Sequence, residues 1–259
     1  MRRRVPPYTE PFIEAQAPND VWSADYKGQF YTKDERACYP LTISDNYSRY
    51  LLKCKGLPGP RYHLTRDVFE EAFREYGLPD AIRTDNGTPF AGKCLGGLSR
   101  LAIWWIQLGI MPERIEKGCP EQNGRHERMH RTLKLETVDP MVANMKEQQE
   151  RFNGFSYDYN NCRPQEALNN EPPVNYYKKS SRPYVERIPP IEYDLGYTVR
   201  RLHHHGYFKF NGQQYYVTRI LDKERIALKE FADGRWKIFY SFYPVGILDL
   251  RQNRVLRLT

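Results

Sequence analysis

The sequence predicts an α/β fold, a mixed five-stranded sheet flanked by helices, followed by a small all-β barrel. Two observations carry this. Up to about residue 162, short β-rich runs and amphipathic helical stretches follow the order strand, strand, strand, helix, strand, helix, strand, helix, which lays helices against a mixed sheet. From Tyr197 the pattern changes to short β-rich segments broken at Asn211-Gly212 and Asp233-Gly234, a spacing typical of small barrels. Between the two regions, Pro164, Pro172, Pro173, Pro183, Pro189 and Pro190 mark an extended linker running over the surface. The expected organisation is a basic arm over residues 1–14, a core over 15–162, a linker over 163–196 and a basic barrel over 197–259.

The first strand is expected across Asp20 to Gly28, where apolar and polar residues alternate and Asp25 sits near the end. Two more follow at Tyr39 to Ser44 and Tyr47 to Lys53, separated by Asp45-Asn46, a pair that readily caps its own backbone. Asp45 is either that turn residue or a second acid of a site. Val68, Phe69, Ala72, Phe73 and Tyr76 recur at helical spacing and stop at Gly77-Leu78-Pro79. A short strand, Ala81 to Thr84, leads into Asp85-Asn86-Gly87, so another acid stands at a strand end before a permissive turn. Leu98, Leu101, Ala102, Trp105 and Leu108 mark the next helix, with Ile110 to Ile115 as a strand beyond Gly109. Adjacent Trp104 and Trp105 cannot both face one core, so one is expected to be partly exposed or to pack on a partner. A further helix is expected over roughly Met141 to Tyr159, and tail strands at Val199–Leu202, Tyr207–Phe210, Gln214–Thr218, Arg225–Leu228 and Trp236–Phe242.

The net charge of +8 is unevenly placed: residues 1–162 carry net +1, residues 163–196 none, and residues 197–259 net +7. A basic terminal module suits a polyanion, most often nucleic acid. No apolar run approaches the ~20 residues of a membrane span, and Met1-Arg2-Arg3-Arg4 runs into prolines, so a cytoplasmic protein with no membrane partner is expected. Cys38, Cys54, Cys94, Cys119 and Cys162 are scattered and form no C-x-x-C pair, which points to reduced thiols.

The stretch from Pro120 to Lys134 opens with Pro and Gly and then runs without a breaker, as a helix entered from a tight loop does. Glu127, Arg131 and Lys134 share one stripe, while Met129 and Leu133 share another that can face a core. Alone, this is also what a solvated helix with an ordinary Glu-Arg pair looks like. Asp25, Asp85 and Glu127 change the weighting. Carboxylates brought into one cleft repel unless hard cations neutralise them, and such a cluster suits a divalent metal such as Mg2+.

At these residues the sequence resembles the DDE transposase and retroviral integrase superfamily, specifically bacterial insertion-sequence transposases with an integrase-type core. The resemblance rests on Trp22-Ser23-Ala24-Asp25, on Arg83-Thr84-Asp85-Asn86-Gly87 and on Asn123 to Lys134, in that order. Arg163-Pro164 with Ala167-Leu168 resembles the segment that follows the core in this group. The resemblance covers roughly residues 15–180 closely and the tail more loosely. It implies an RNase H-like core and an SH3-like tail, with Asp25, Asp85 and Glu127 as both the catalytic and the metal-holding triad. It further implies two Mg2+ ions, replaceable by Mn2+, and DNA cleavage followed by strand transfer. The implied partner is double-stranded DNA, both element ends and target, with a homo-oligomer assembled on it in the bacterial nucleoid. Arg131 and Lys134 match cations placed against the element end, and Arg200, Arg201 and Lys209 are the tail residues expected on DNA. Two departures stand out: 41 residues separate Asp85 from Glu127, more than in the retroviral pattern, and the usual N-terminal helix-turn-helix has no counterpart ahead of the core.

Two other functions fit the same residues: a silent DNA-binding regulator derived from a transposase, and a metal-dependent nuclease of the same fold. His203-His204-His205 invites a zinc reading that the lack of a Cys pair weakens, and His126 and His130 are expected to contact DNA or pack locally.

Overall fold

The computed structural model describes residues 12–115 and 124–258, and the side chains of residues 124–127 lie outside that description. Residues 120–123, with the Pro opening and Glu121, and Cys119 also fall outside the described residues. Pro11–Pro89 and Pro112–Tyr184 form one compact unit, and Phe90–Met111 and Val185–Thr259 form another.

The first unit is built on a sheet whose longer strands run in the order β4 (Leu51–Leu57), β3 (Ala37–Asp45), β1 (Val21–Tyr26), β5 (Ala81–Thr84), β6 (Met111–Arg114). The unexpected two-residue β2 (Phe30–Tyr31) adds a sixth strand against the start of β3. β3 is antiparallel to both β1 and β4, whereas β1 and β5 are parallel, which makes the sheet mixed. The strand expected at Tyr47 begins only at Leu51. Asp45 explains the delay: its carboxylate accepts from the Ser48 amide and hydroxyl and the Asn19 amide, and Arg49 takes a positive φ of 65°. Asp45 is buried, and burial pushes its carboxyl above the usual range. It is the turn residue.

Helix α1 (Tyr62–Tyr76) buries Val68, Phe69, Ala72 and Phe73, and Phe73 lies 5.8 Å from the Trp22 ring. It ends at Gly77, whose φ of 82° suits glycine and whose Cβ, if present, would meet the Arg182 carbonyl at 2.8 Å. That close approach shows where the proline-rich stretch goes. Its first half folds back on this unit: the Leu78 amide donates to Arg182 O, Ser180 donates to Tyr76 O, and Tyr177 stacks on Tyr50 at 4.5 Å.

Helix α3 (Gly124–Thr137; α2 belongs to the second unit) buries Met129 and Leu133 against Phe152, Phe155 and Tyr159 of α4 (Met145–Asn161), in a core shared with Cys38, Leu51 and Cys54. This is the expected apolar stripe, and burying each such side chain stabilises the fold by ~1.5–3 kcal/mol. α4 starts four residues later than expected because Asn144 caps it, accepting from the Lys146 and Glu147 amides. Its side chains also close the open edge of β4. Asn160 accepts from the Leu51 amide at 2.7 Å and donates to the Leu51 carbonyl at 2.9 Å, and Gln149 does the same between Gly56 and Cys54. The Cys38 thiol is pushed up to about 12 by burial, in keeping with an inert structural thiol.

The second unit contains α2 (Arg100–Gln107) and an antiparallel sheet in the order β13 (Arg254–Leu256), β12 (Tyr243–Asp249), β11 (Arg235–Tyr240), β10 (Arg225–Ala232), β7 (Thr198–Arg201), with the hairpin β8 (Tyr207–Phe210) and β9 (Gln213–Tyr216). Leu98, just ahead of α2, and Ala102 and Ile106 of the helix share a core with Phe208, Tyr215, Ile226, Leu228, Ile238 and Val245. Trp104 and Trp105 are both buried, against expectation. Only Arg100, Ile103 and Gln107, on one stripe of α2, keep more than slight exposure, and neither indole falls on that stripe. The last expected strand, Trp236–Phe242, is really a hairpin: Tyr240 pairs with Tyr243 across Ser241-Phe242, and Ser241 takes a φ of 54°.

Candidate active site

The register of β1 on β5 places the two aspartates. Ala24 pairs with Thr84 on a parallel neighbour, so Asp25 and Asp85, the next residue on each strand path, emerge at the same end of adjacent strands. Parallel pairing matters here, because an antiparallel pair would have sent the two chains out at opposite ends. Asp85 is held by its own turn: its Oδ1 accepts from the Gly87 amide at 3.0 Å, and a Cβ at Gly87 would lie 2.8 Å from Oδ2. A side chain at 87 would therefore displace the Asp85 carboxylate from its present position. Asn86 donates to Ile115 O, and the Ile115 amide donates to Thr84 O, which fixes this turn to the end of β6. Asp85-Asn86-Gly87 is thus a carboxylate-presenting loop and not a hairpin turn.

Asp25 lies opposite Thr42 of β3, its side chain 19% exposed. His130 of α3 approaches from above the sheet. It is buried, its Nε2 lies 2.6 Å from Thr42 Oγ1, and its Nδ1 lies 3.6 Å from Asp25 Oδ2. His130 therefore packs locally, one of the two roles expected for it; the His126 side chain is outside the described residues.

Buried Met129 and Leu133 set the rotation of α3, and His130 meets both β3 and β1. Position 127 is one turn earlier on the same helix, ~60° around the axis from His130 and ~20° from Lys134. The Glu127 side chain itself is outside the described residues, and among the described residues no group of three metal-ligating side chains is assembled. Arg131 and Lys134 are exposed on this helix.

In the β-rich unit, Arg200 and Arg201 point opposite ways. Arg200 pairs with buried Ile226 and lays its guanidinium over the Phe210 ring at 5.4 Å. Arg201 is exposed directly across from exposed Arg225, and on the same face Lys229 of β10 stands across from Lys237 of β11. Like charges placed opposite cost stability in isolation. Sequence reading missed these two pairs, since cross-strand register is invisible before the strands are placed. Lys209 is exposed on β8. The three histidines lie in the turn between β7 and β8 and not on a strand, with His205 at φ 69° and all three exposed.

Two models described as "Integrase core domain" match residues 15–120 and 108–173, and one described as "IS481 family transposase, C-terminal domain" matches residues 197–256. The chain is therefore similar to integrase core domains over residues 15–173 and to an insertion-sequence transposase C-terminal domain over its tail. Among its relatives are the "Transposase for insertion sequence element IS904" of Lactococcus lactis, 27% identical over 65% of this chain and 65% of the relative, and the "Insertion element IS407 uncharacterized 31.7 kDa protein" of Burkholderia multivorans, 26% identical over 63% and 57%. The chain spans about half the length of two of the curated relatives, 57% and 46%. A simian T-cell lymphotropic virus intasome structure superposes with a TM-score of 0.54 at 15% identity, over 98% of this chain and 83% of that one, a likeness of fold. Among the described residues no helix is long and apolar enough to cross a membrane.

Proposed function

We propose that this protein is a DDE polynucleotidyl transferase that cuts DNA at the end of an insertion element and joins the freed end to a target. The observation that carries the reading is the parallel β1–β5 register, which brings Asp25 and Asp85 out at the same end of adjacent strands, with His130, about one helical turn from position 127, 3.6 Å from Asp25. An all-oxygen donor set of carboxylates, one of them 19% exposed, suits a hard divalent cation better than a thiolate-binding metal. Asp25, Asp85 and Glu127 would hold two Mg2+ ions, or Mn2+ in their place. When bound, such ions stabilise the attacking and leaving oxygens of an in-line phosphoryl displacement.

The protein's own residues supply position. Asp25 and Asp85 are fixed by strand register and by the Gly87 amide, so the reacting phosphate meets a preformed carboxylate pair. Exposed Arg131 and Lys134, on the Glu127 stripe, hold flanking phosphates. Arg201, Arg225, Lys229, Lys237 and Lys209 of the β-rich unit bind the duplex further along, where the paired like charges gain counter-charge from phosphate. Water attacks first and releases a 3′-OH, and that hydroxyl then attacks the target strand, with no covalent bond to the protein. The partners are double-stranded element ends and target DNA, with further copies of this chain assembled on them.

The test uses labelled donor duplexes ending in the inverted repeats that flank the gene, with plasmid as target and Mg2+ present. Wild type should nick the donor and join it to plasmid, and Glu127→Gln should bind the donor but do neither. Nicking without joining would replace the transferase reading by a nuclease, and donor binding by wild type with no nicking would leave a DNA-binding regulator.

A further inference from the structure

We infer that His130 is a positioning residue for Asp25, and that Thr42 sets the orientation in which it works. This rests on the metal-dependent reading above. His130 is 3% exposed on the inner side of α3, and its ring spans the gap between β3 and β1: Nε2 lies 2.6 Å from Thr42 Oγ1 and Nδ1 lies 3.6 Å from Asp25 Oδ2. Thr42 is itself fully buried and is the register partner of Asp25, so both contacts of the imidazole are fixed by one strand pair. A buried histidine with a hydroxyl on one nitrogen and a carboxylate facing the other has a determined role for each nitrogen.

The short Thr42 contact is best made with the hydroxyl donating to Nε2, because its alternative acceptor, the Asp25 carbonyl, is longer at 3.3 Å. The ring proton then sits on Nδ1 and faces Asp25 Oδ2. At 3.6 Å this is an electrostatic contact and not a full hydrogen bond. It holds one carboxylate oxygen toward the helix and so restricts the orientation of the group that would ligate the cation. The same contact ties α3 to β1 one turn from Glu127, so a single buried ring sets the spacing between the strand-borne and helix-borne acids. Groups that orient a ligating carboxylate in this way change metal affinity by ~10–100-fold when removed.

The test measures Mn2+ binding to the full chain by calorimetry, alongside the Mn2+ dependence of donor nicking and the affinity for donor DNA in Ca2+. Variants are His130→Ala, His130→Gln, Thr42→Val and Asp25→Asn. The expected result is Mn2+ affinity lower by ~10–100-fold in His130→Ala, a smaller loss in Thr42→Val, partial recovery in His130→Gln, which restores a donor, and unchanged affinity for donor DNA at saturating Ca2+ in these three. Thr42→Val keeps the side-chain shape, so it remains informative if His130→Ala does not fold. Wild-type Mn2+ affinity in folded His130→Ala or Thr42→Val would overturn the positioning role while leaving the metal reading intact. If wild type binds Mn2+ no better than Asp25→Asn, the metal reading fails and the positioning role falls with it.

Discussion

Asn160→Ala should destabilise the α/β unit more than any other single amide deletion on α4. Asn160 presents its side-chain amide to the open edge of β4 as another strand would, accepting from Leu51 N and donating to Leu51 O. Asn160 is 5% exposed and Leu51 2%, so alanine leaves a buried donor and a buried acceptor with nothing in reach. Each such group costs ~1–3 kcal/mol, and a middle value for the pair is ~3 kcal/mol after some relaxation. For a domain of this size that lowers the melting temperature by ~6–12 °C. Gln149→Ala, at a half-buried position, should cost ~1 kcal/mol. Asn161→Ala, exposed and bonded only to its own helix at Tyr157 O, should stay within ~0.5 kcal/mol of wild type. Calorimetry gives the transition temperatures, and hydrogen exchange across residues 51–57 reports the edge itself. A melting temperature for Asn160→Ala within about 2 °C of wild type, well under the expected shift, would refute the reasoning, because water would then serve the edge as well as the amide does.

Strand transfer should require Mg2+ or Mn2+, with Ca2+ supporting DNA binding but no turnover, and joining that persists in excess EDTA would remove the two-metal mechanism. Replacing Arg131 and Lys134 together with Ala should weaken donor binding and reduce its salt slope by ~1 per lost phosphate contact, while Mn2+ binding measured by calorimetry stays at the wild-type level. Replacing Arg201 and Arg225 with Ala should act in opposite directions on two readouts: melting should rise by the equivalent of ~0.2–1 kcal/mol as the like-charge pair is relieved, and the slope of log K against log salt should flatten by ~0.9 per contact. A rise in stability with unchanged DNA binding would mean that this face meets no phosphate. Removing residues 197–258 outright should yield aggregates on gel filtration, since Leu98, Ala102 and Ile106 lose the core they share with the sheet.

The strand-borne acids and the α3 apolar stripe were legible because each depends on local pattern: alternation before Asp25, Asn-Gly after Asp85, and i, i+4 spacing of Met129 and Leu133. What remained hidden depends on partners far away in sequence. Trp104 and Trp105 are both buried, which depends on residues distant in sequence that no window around residue 104 can reveal. The β11–β12 turn carries no Gly, Asn, Asp or Pro, and Ser241 adopts its left-handed conformation because the flanking tyrosines are already paired. The composition of the proline-rich stretch correctly denied it regular strands, yet Tyr177 and Arg182 find specific seats on Tyr50 and Asp80. The contribution of His130 lay between two expectations, and only the Thr42 register decided it.

The β-rich unit is assembled from two separate stretches, Phe90–Met111 and Val185–Thr259, although the family model for the tail matches the contiguous run 197–256. A recombination event that exchanged the last quarter of the gene between relatives would therefore join a foreign sheet to a resident helix, with Ala102 and Ile106 fitted to side chains that had left. The inheritable piece is not the contiguous piece. Lineages of such elements should then keep tail and residues 90–111 as co-travelling partners, and new DNA preferences should arise by substitution on the outer sheet face, at positions such as Arg201, Arg225 and Lys237, more readily than by shuffling whole tails.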